Sequence, residues 1–201
     1  TMPGRTFIGL NRPNPSIFHA YWLDLESGAL ELAVENPGRH AGYLLDQKNR
    51  VRVAAQQNAQ GGTDILTREG EQGEWRTLAS YPASESVTPL RVHPDNRRLY
   101  ITTNHGEDVD LARLALMDLQ TGAVTPVETD PAREVDFGGA IFSETTDSIL
   151  ATVYNADTMA AWKECGHTGN MWYGEHRMLG VDGKYHSILA QGMPIRDEGG
   201  N

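Results

Sequence analysis

The chain has 201 residues, of which 39% are hydrophobic, and this suits one large domain or two small ones with a packed core. Its formal net charge of −10 argues against a phosphate-binding surface, because nucleic acids are normally met by clustered Lys and Arg. No window approaches the roughly 18 to 20 apolar residues of a membrane span, so we expect neither a nucleic-acid partner nor a membrane partner.

The cysteine content and the N-terminal sequence indicate the cellular compartment and limit the possible metal and disulfide chemistry. The single cysteine, Cys165, cannot form an internal disulfide, and no cysteine pair is present to build a zinc knuckle. The first five residues lack the charged and apolar regions of a signal peptide. We therefore expect a cytoplasmic protein that uses no cofactor.

The first recurring pattern along the chain is a strand, a turn and a second strand. In each copy a polar residue precedes a glycine turn, and apolar and polar residues alternate on both sides as in half-buried hairpins. The four copies are residues 21–35, 65–80, 114–129 and 176–191, with turn glycines Gly28, Gly73, Gly122 and Gly183. We expect these glycines to have the positive φ that tight hairpin connections require.

A further strand is predicted ahead of each hairpin. These strands are residues 5–10, 50–55, 97–103 and 147–154, and the steps from Ile8 to Val53 to Ile101 to Ala151 are 45, 48 and 50 residues. The later three are themselves preceded by short strands at 42–46, 89–95 and 138–144. Three units therefore hold about four strands each, and the first unit lacks its opening strand.

Four antiparallel strands that recur at about 40 to 50 residues are typical of β-propeller blades. One small sheet cannot cover both of its faces, whereas sheets stacked around an axis bury one another. The sequence thus predicts an all-β, propeller-like fold of about four blades in a single domain over residues 1–201. Regular blades occupy about 5–157 and an atypical segment follows at 158–201. A plain β-sandwich is the alternative, but a sandwich does not require a hairpin at a fixed period.

Nine apolar strand residues are predicted to fill the layers between blades. They are Ile8, Leu23, Val53, Leu66, Leu99, Ile101, Leu116, Ile149 and Val153.

Several stretches carry a family resemblance over about residues 6–157. They are FIGLNRPNP (7–15), AYWLDLESGALELAVENPG (20–38), LLDQKNRVRVAA (44–55), TDILTREGEQGEWRTL (63–78) and VHPDNRRLYITTNHGEDVDLARLALMDLQTGAV (92–124). This run resembles the N-terminal β-propeller of the prolyl oligopeptidase family, in its acylaminoacyl- and dipeptidyl-peptidase-like branch. The resemblance implies a propeller of about seven or eight blades that limits substrate access to a separate C-terminal α/β-hydrolase domain holding Ser, Asp and His.

The catalytic part of that family is not visible in this sequence. None of the eight serines lies in the Gly-x-Ser-x-Gly turn that exposes a nucleophile, so no catalytic residue is carried over. Past about Trp162 the sequence no longer follows the family. We predict a non-catalytic scaffold or binding module. The alternative is a stand-alone hydrolase with a site in the 165–186 region, built from His167, Glu175, His176 and His186.

Residues 164–176 contain several possible metal ligands. Cys165, His167 and His176, with Glu164 or Glu175, could supply zinc ligands, but structural zinc sites prefer repeated pairs at short separations. We favour a polar loop and predict no metal.

Two acidic runs and two histidines also have plain interpretations. Residues 104–113 and 128–137 lack the spacing of a dedicated calcium loop, so we expect carboxylates that cap turns on a solvated face. His93 and His105 lie at strand ends or turns, and we expect them to be solvated loop histidines.

Aromatic residues outside the regular strands are the candidate interface: Trp162, Trp172 and Tyr173. Aromatic residues within strands, such as Tyr43 and Trp75, are expected to pack between blades. Four blades could close a ring alone, or a half ring could leave two blade faces exposed. We expect two copies to pair through terminal blades as a homodimer, and a peptide or a hydrolase domain to be a further partner.

Overall fold

The computed structural model describes residues 4–70, 73–106, 109–130, 133–155, 172–179 and 185–192. Within these residues every regular element is a β-strand. The strands are β1 (Arg5–Leu10), β2 (His19–Asp24), β3 (Leu30–Val34), β4 (His40–Leu45), β5 (Val51–Gln57), β6 (Thr63–Thr67), β7 (Arg76–Tyr81), β8 (Val87–Val92), β9 (Arg98–Thr103), β10 (Arg113–Asp118), β11 (Val124–Glu128), β12 (Phe137–Phe142), β13 (Ile149–Asn155), β14 (Trp172–Leu179) and β15 (Tyr185–Gly192).

Chain neighbours pair into four antiparallel sheets. The first sheet has three strands in the order β1-β2-β3, and the others have four: β4-β5-β6-β7, β8-β9-β10-β11 and β12-β13-β14-β15. Each is a simple meander, as in propeller blades. The predicted fold class is confirmed, and the first sheet has three strands instead of four, as the sequence predicted.

The turn glycines behave differently from one another. Gly28 (φ 71°) and Gly122 (φ 77°) have the expected left-handed backbone. The expectation for Gly73 was wrong, because the positive φ in that hairpin belongs to Gly70 (φ 68°). Gly73 instead lies so close to the Glu69 carbonyl that a Cβ would collide with it. Gly183 lies outside the described residues.

The chain divides into two compact units. One comprises Thr1–Glu107 and Ala115–Pro126, and the other comprises Asp108–Leu114 and Val127–Asn201, so the boundary falls within β10 and β11. The single-domain organisation stays a prediction.

The main core of the first unit lies between the second and third sheets. Its buried residues are Val53, Ile65, Tyr81, Val87, Val92, Leu99, Ile101, Ala115, Met117 and Leu119. Full burial of one such aliphatic side chain stabilises by about 1.5–3 kcal/mol, so this layer holds the two sheets together.

A smaller core joins the first and second sheets of the same unit. Ala20, Val34 and Val51 are buried there, and partly buried Phe7, Tyr43, Leu45 and Trp75 pack against them. The Phe7 and Trp22 rings approach at 5.1 Å between centroids. Strand aromatics in this layer therefore serve as packing residues, as the sequence predicted.

Of the nine predicted core residues, four are buried as expected, and five, in β1, β2, β10 and β13, are only half-buried. Val53, Leu66, Leu99 and Ile101 are buried as expected. In β10 the buried residues are Leu114, Ala115 and Met117, whereas Leu116 is half-buried. A continuous apolar run does not reveal which face is inward.

In β13 the inward residues are polar. Thr152 and Tyr154 are buried, and both hydroxyls donate to Glu128 Oε1 at 3.1 and 2.9 Å, while Ile149 and Val153 are half-buried. Because hydrogen bonds satisfy them, polar groups take the core positions that the sequence analysis gave to aliphatic residues. The remaining two predictions, Ile8 and Leu23 in the first sheet, are also only half-buried.

Candidate functional site

An open groove of about 230 Å³ lies between the second and third sheets of the first unit. Its lining comes from β4, β5 and β8 and is mostly apolar: Ala41, Gly42, Tyr43, Leu44, Val53, Ala54, Ala55, Thr88 and Pro89. Apolar concavities with a few polar groups are the usual form of small-ligand and peptide sites.

Small residues and a proline keep this groove open. A Cβ placed on Gly42 would meet no atom within 4 Å, so the space beside β4 is empty at that position. The β4–β5 register shifts on both sides of residues 42–44, which bends the strand. Pro89 lacks an N–H, and therefore β8 cannot close the groove by continuous pairing.

An aromatic cluster stands at the Tyr43 side of the groove. The Tyr43 ring centroid lies 5.4 Å from His40 and 6.2 Å from Trp75. The Tyr43 hydroxyl lies 3.0 Å from His40 Nδ1. Burial raises the pKa of Tyr43 to about 12, against the opposing effect of the Arg68 charge. Burial, followed by the charge of Arg39, lowers the pKa of His40.

Arg68 closes the far side of that cluster. Its guanidinium carbon lies 4.7 Å from the Trp75 ring centroid, and its Nε donates to the Val51 carbonyl at 2.9 Å. Only 8% of Arg68 is exposed. A stacked, hydrogen-bonded guanidinium of this kind fixes the indole within the aromatic cluster.

Asn36 holds the entry to β4. Its Nδ2 donates to the carbonyls of Phe18 (3.0 Å) and His40 (2.7 Å), and its Oδ1 accepts from the N–H groups of Gly38 (2.9 Å) and His40 (3.0 Å). Its own N–H donates to His19 Nδ1 at 3.0 Å. This buried amide satisfies the backbone between β3 and β4, which explains why Asn-Pro-Gly occurs there.

The turn between β4 and β5 is built on Asp46. Its carboxylate accepts from Arg50 Nη2 (2.6 Å) and Nε (2.9 Å) and from the Lys48 N–H (2.8 Å). Burial raises the pKa of Asp46, but the Arg50 side chain and these N–H groups outweigh it and lower the pKa. Next to it, the Gln47 N–H donates to Asn96 Oδ1 (2.8 Å) and its Nε2 donates to the Val92 carbonyl (3.2 Å), which ties two neighbouring turns together.

The equivalent turn between β8 and β9 is built on Asp95. Its carboxylate accepts from the Arg97 N–H (2.9 Å) and Arg98 Nε (2.7 Å), and His93 Nδ1 lies 3.0 Å from it. Arg98 Nη2 lies 3.3 Å from His93 Nε2, and the Asp95 N–H donates to His93 Nδ1 at 3.2 Å. Partial burial raises the pKa of Asp95, yet these donors prevail and hold it at about 2. His93 is thus an ordered, half-buried turn residue and not a solvated one.

His105 is an exposed loop histidine, as expected, but its ring also contacts two other side chains. Its Nδ1 lies 2.6 Å from Glu85 Oε2, and its ring packs edge-on against buried Tyr81 at 5.1 Å. The pair was missed because its members are 20 residues apart in sequence and are joined only by the β8–β9 pairing.

The predicted interface residues fall mainly beyond the described side chains. Trp162 lies outside the described residues. The expectation that Trp172 and Tyr173 lie outside the regular strands was wrong, because they begin β14, where their backbones pair with Gly192 and Gln191. The interface itself stays a prediction.

Residues of the alternative hydrolase site are placed only in part. Glu164, Cys165 and His167 lie outside the described residues. In backbone register His176 pairs with Ile188, and His186 pairs with Met178, two register positions away.

Acidic residues of the second run, 128–137, accept hydrogen bonds from backbone N–H groups in turns, as expected. Asp130 Oδ2 accepts from the N–H groups of Glu134 (3.0 Å) and Val135 (3.3 Å), and Asp136 Oδ1 accepts from Ala112 (2.7 Å). Among the described residues no group of three or more His, Cys, Asp or Glu side chains is placed to hold a metal. The described part of the chain also contains no helix suited to spanning a membrane.

The chain is similar to a curated peptidase in sequence and to a solved β-propeller protein in structure. The chain is 29% identical over 151 residues to dipeptidyl aminopeptidase BIII of Pseudoxanthomonas mexicana, a match that covers 74% of this chain and 21% of the relative. It also resembles the crystal structure of TolB from Acinetobacter baumannii, with a TM-score of 0.57, 11% identity, and coverage of 97% of this chain and 42% of that one. No family model matches. The chain thus has a β-propeller fold related to the propeller domains of peptidases, and it spans about a fifth of the curated relative.

Proposed function

We propose that the chain is a non-catalytic binding module that resembles the substrate-gating propeller of a prolyl oligopeptidase family peptidase. The observation that carries this proposal is the open apolar groove between β4 and β8, in a propeller-type fold related to a dipeptidyl aminopeptidase. In this proposal the groove receives a short apolar peptide segment, either a substrate on its way to a hydrolase domain or part of that domain.

The walls of the groove support a peptide ligand. Its lining is mostly apolar, and Thr88 is a polar residue among the lining residues. Extended peptides bind such surfaces through apolar side chains and a few backbone contacts. The Asn36 and Asp46 networks hold both ends of β4, so the site is formed before a ligand arrives.

Fluorescence provides the test, because Trp75 lies beside the groove residue Tyr43. The blocked tripeptide acetyl-Ala-Leu-Ala-amide should produce a saturable change in tryptophan emission. Trp75→Phe should remove that change while leaving binding measurable by calorimetry.

Gly42 offers a matched pair of variants. Gly42→Phe should fill the groove without a backbone clash and weaken binding by about tenfold or more, whereas Gly42→Ala should change it by no more than about twofold. Equal binding by wild type and Gly42→Phe would overturn the assignment of the groove.

Self-association is a second part of the proposal. Leu25, Leu30, Leu32 and Phe18 of the first sheet and its turns are 43–63% exposed, an apolar surface that pairing of two copies would cover. Light scattering at micromolar concentration should give about twice 22.1 kDa. A particle of 22.1 kDa would contradict pairing.

A further inference from the structure

The groove between β4 and β8 has an uncharged lining. None of the nine described residues that line it is charged near neutral pH, since burial raises the pKa of Tyr43 to about 12. Moving a charged group from water to such a surface costs free energy unless a partner charge or hydrogen bonds compensate it. The lining therefore disfavours acidic and basic side chains of a ligand.

The size of the groove fits one side chain of a peptide. Its volume is about 230 Å³. An apolar cavity of about 150 Å³ holds one benzene molecule, whereas sites for whole drug-sized ligands measure about 300–1,000 Å³. The groove therefore has room for one ring-sized group, such as the side chain of phenylalanine.

Small residues on neighbouring strands create this space. In the β4–β5 register Gly42 lies opposite Ala55, and Tyr43 lies opposite Ala54. Cross-strand pairs of larger residues normally fill the surface of a sheet with their side chains. A Cβ on Gly42 would meet no atom within 4 Å, so the space at the pair of Gly42 and Ala55 is left for a ligand.

The wall formed by β5 is rigid because it belongs to the core. Val53 is 0% exposed and Ala54 is 1% exposed, and Val53 is part of the main core between the second and third sheets. Leu44 lies opposite Val53 and packs against the same core. A wall that does not move on binding favours a ligand whose shape matches the existing space.

Thr88 indicates where the backbone of a peptide would lie. Thr88 is exposed, although it also lines the groove, so it stands where the groove opens to solvent. Its hydroxyl can donate one hydrogen bond and accept others. A side chain that enters the groove would leave its own backbone beside this hydroxyl.

We propose that the groove is a subsite for one uncharged, ring-sized side chain of a peptide, with phenylalanine as the preferred residue, and that the peptide backbone stays outside it beside Thr88. This inference rests on the proposed function, in which the groove binds an apolar peptide, and adds which side chain the groove selects. Burial of that side chain supplies the difference in affinity between peptides.

The test measures, by calorimetry, the binding of blocked tripeptides acetyl-Ala-X-Ala-amide with Phe, Leu, Ala or Glu at X. The Phe peptide should bind most tightly, and Ala or Glu in its place should weaken binding about tenfold or more. A second ring, in acetyl-Phe-Phe-Ala-amide, should improve binding by no more than about twofold, because the two rings cannot enter together. Equal binding of the Phe and Ala peptides, or a tenfold gain from the second ring, would overturn the inference.

Variants at Gly42 test whether the selectivity arises in the groove. Gly42→Leu places a side chain in the open space and should reduce the preference for Phe over Ala to about twofold or less, whereas Gly42→Ala should keep that preference within about twofold of wild type. A full preference in Gly42→Leu would place the side chain elsewhere and overturn the inference. If none of the peptides binds the wild-type chain, the proposed function fails as well, whereas binding without preference refutes the subsite alone.

Toluene and Thr88→Val distinguish a peptide side chain from a free small molecule. Toluene carries the ring without the backbone, and it should bind about threefold or more weakly than the Phe peptide. Thr88→Val removes the hydroxyl and should weaken binding of the Phe peptide about threefold, while toluene binding should stay unchanged. Toluene that binds as tightly as the peptide, or a peptide affinity that Thr88→Val leaves intact, would contradict the proposal.

Discussion

Asn36 brackets His40: its side-chain amide donates to the His40 carbonyl at 2.7 Å and accepts from the His40 N–H at 3.0 Å. His40 is the first residue of β4, so this one side chain sets where the strand begins. Tyr43 and the groove follow three residues later.

Replacing Asn36 tests how much the hydrogen bonds of its side-chain amide contribute to the free energy of unfolding. Asn36→Ala leaves buried N–H and C=O groups without partners and should lower the free energy of unfolding by about 2 kcal/mol. Asn11→Ala, which removes one exposed hydrogen bond to the Pro15 carbonyl, should cost less than about 0.5 kcal/mol. Urea denaturation measures both, and equal effects would show that the Asn36 network is dispensable.

Gly28 and Gly122 occupy equivalent hairpin turns, so alanine variants at the two positions distinguish the cost of backbone strain from the cost of steric crowding. Both have a left-handed φ, so alanine should cost about 1 kcal/mol at either position. At Gly122 a Cβ would also lie 2.7 Å from the Leu78 carbonyl, whereas at Gly28 it would meet nothing within 4 Å. Gly122→Ala should therefore be more destabilising by about 1 kcal/mol or more. Equal thermal shifts for the two variants would contradict this close approach.

The lowered pKa of Asp95 predicts that the free energy of unfolding falls in acid. Its pKa is about 2 in the folded chain against an ordinary 3.8, so the folded state favours the carboxylate. The resulting stabilisation is fully present above about pH 4 and is lost as the pH falls towards about 2. After allowance for solvent screening, Asp95→Asn should cost about 1 kcal/mol at neutral pH and almost nothing near pH 2. Urea titrations at several pH values measure it, with exposed Asp110→Asn as the control. A cost independent of pH would exclude the carboxylate as its source.

The layer between the second and third sheets should dominate stability. Ile101 is 0% exposed and Leu32 is 51% exposed. Ile101→Ala should cost about 2–5 kcal/mol, and Leu32→Ala less than about 0.5 kcal/mol in the unpaired chain. Chemical denaturation at low concentration compares them. Similar small effects would show that the sheets do not stack as described.

The strands were predictable because most are short and lie next to a glycine or an Asp-rich turn. All fifteen were expected, although β14 begins at Trp172, four residues before the predicted start of its hairpin at residue 176. The sequence did not show which side chains of a strand face the core or which residues of different strands come into contact. In β10 an unbroken apolar run hid which residues face inward. In β13 the inward residues are polar, because Glu128 accepts their hydroxyl hydrogen bonds.

The site was predictable only in its parts. Tyr43 and Trp75 were expected to pack, and they do, but the stacking of Arg68 on Trp75 depends on backbone geometry that a sequence does not encode locally. The groove arises from the spacing of two sheets. The Glu85–His105 pair likewise requires the β8–β9 register.

The central claim is that this chain binds without cutting. A serine-reactive fluorophosphonate probe, applied together with chromogenic acyl-peptide and ester substrates, tests it most directly. The claim predicts no labelled serine and no product release while acetyl-Ala-Leu-Ala-amide still occupies the groove. Labelling of any of the eight serines, or turnover that the probe abolishes, would contradict it.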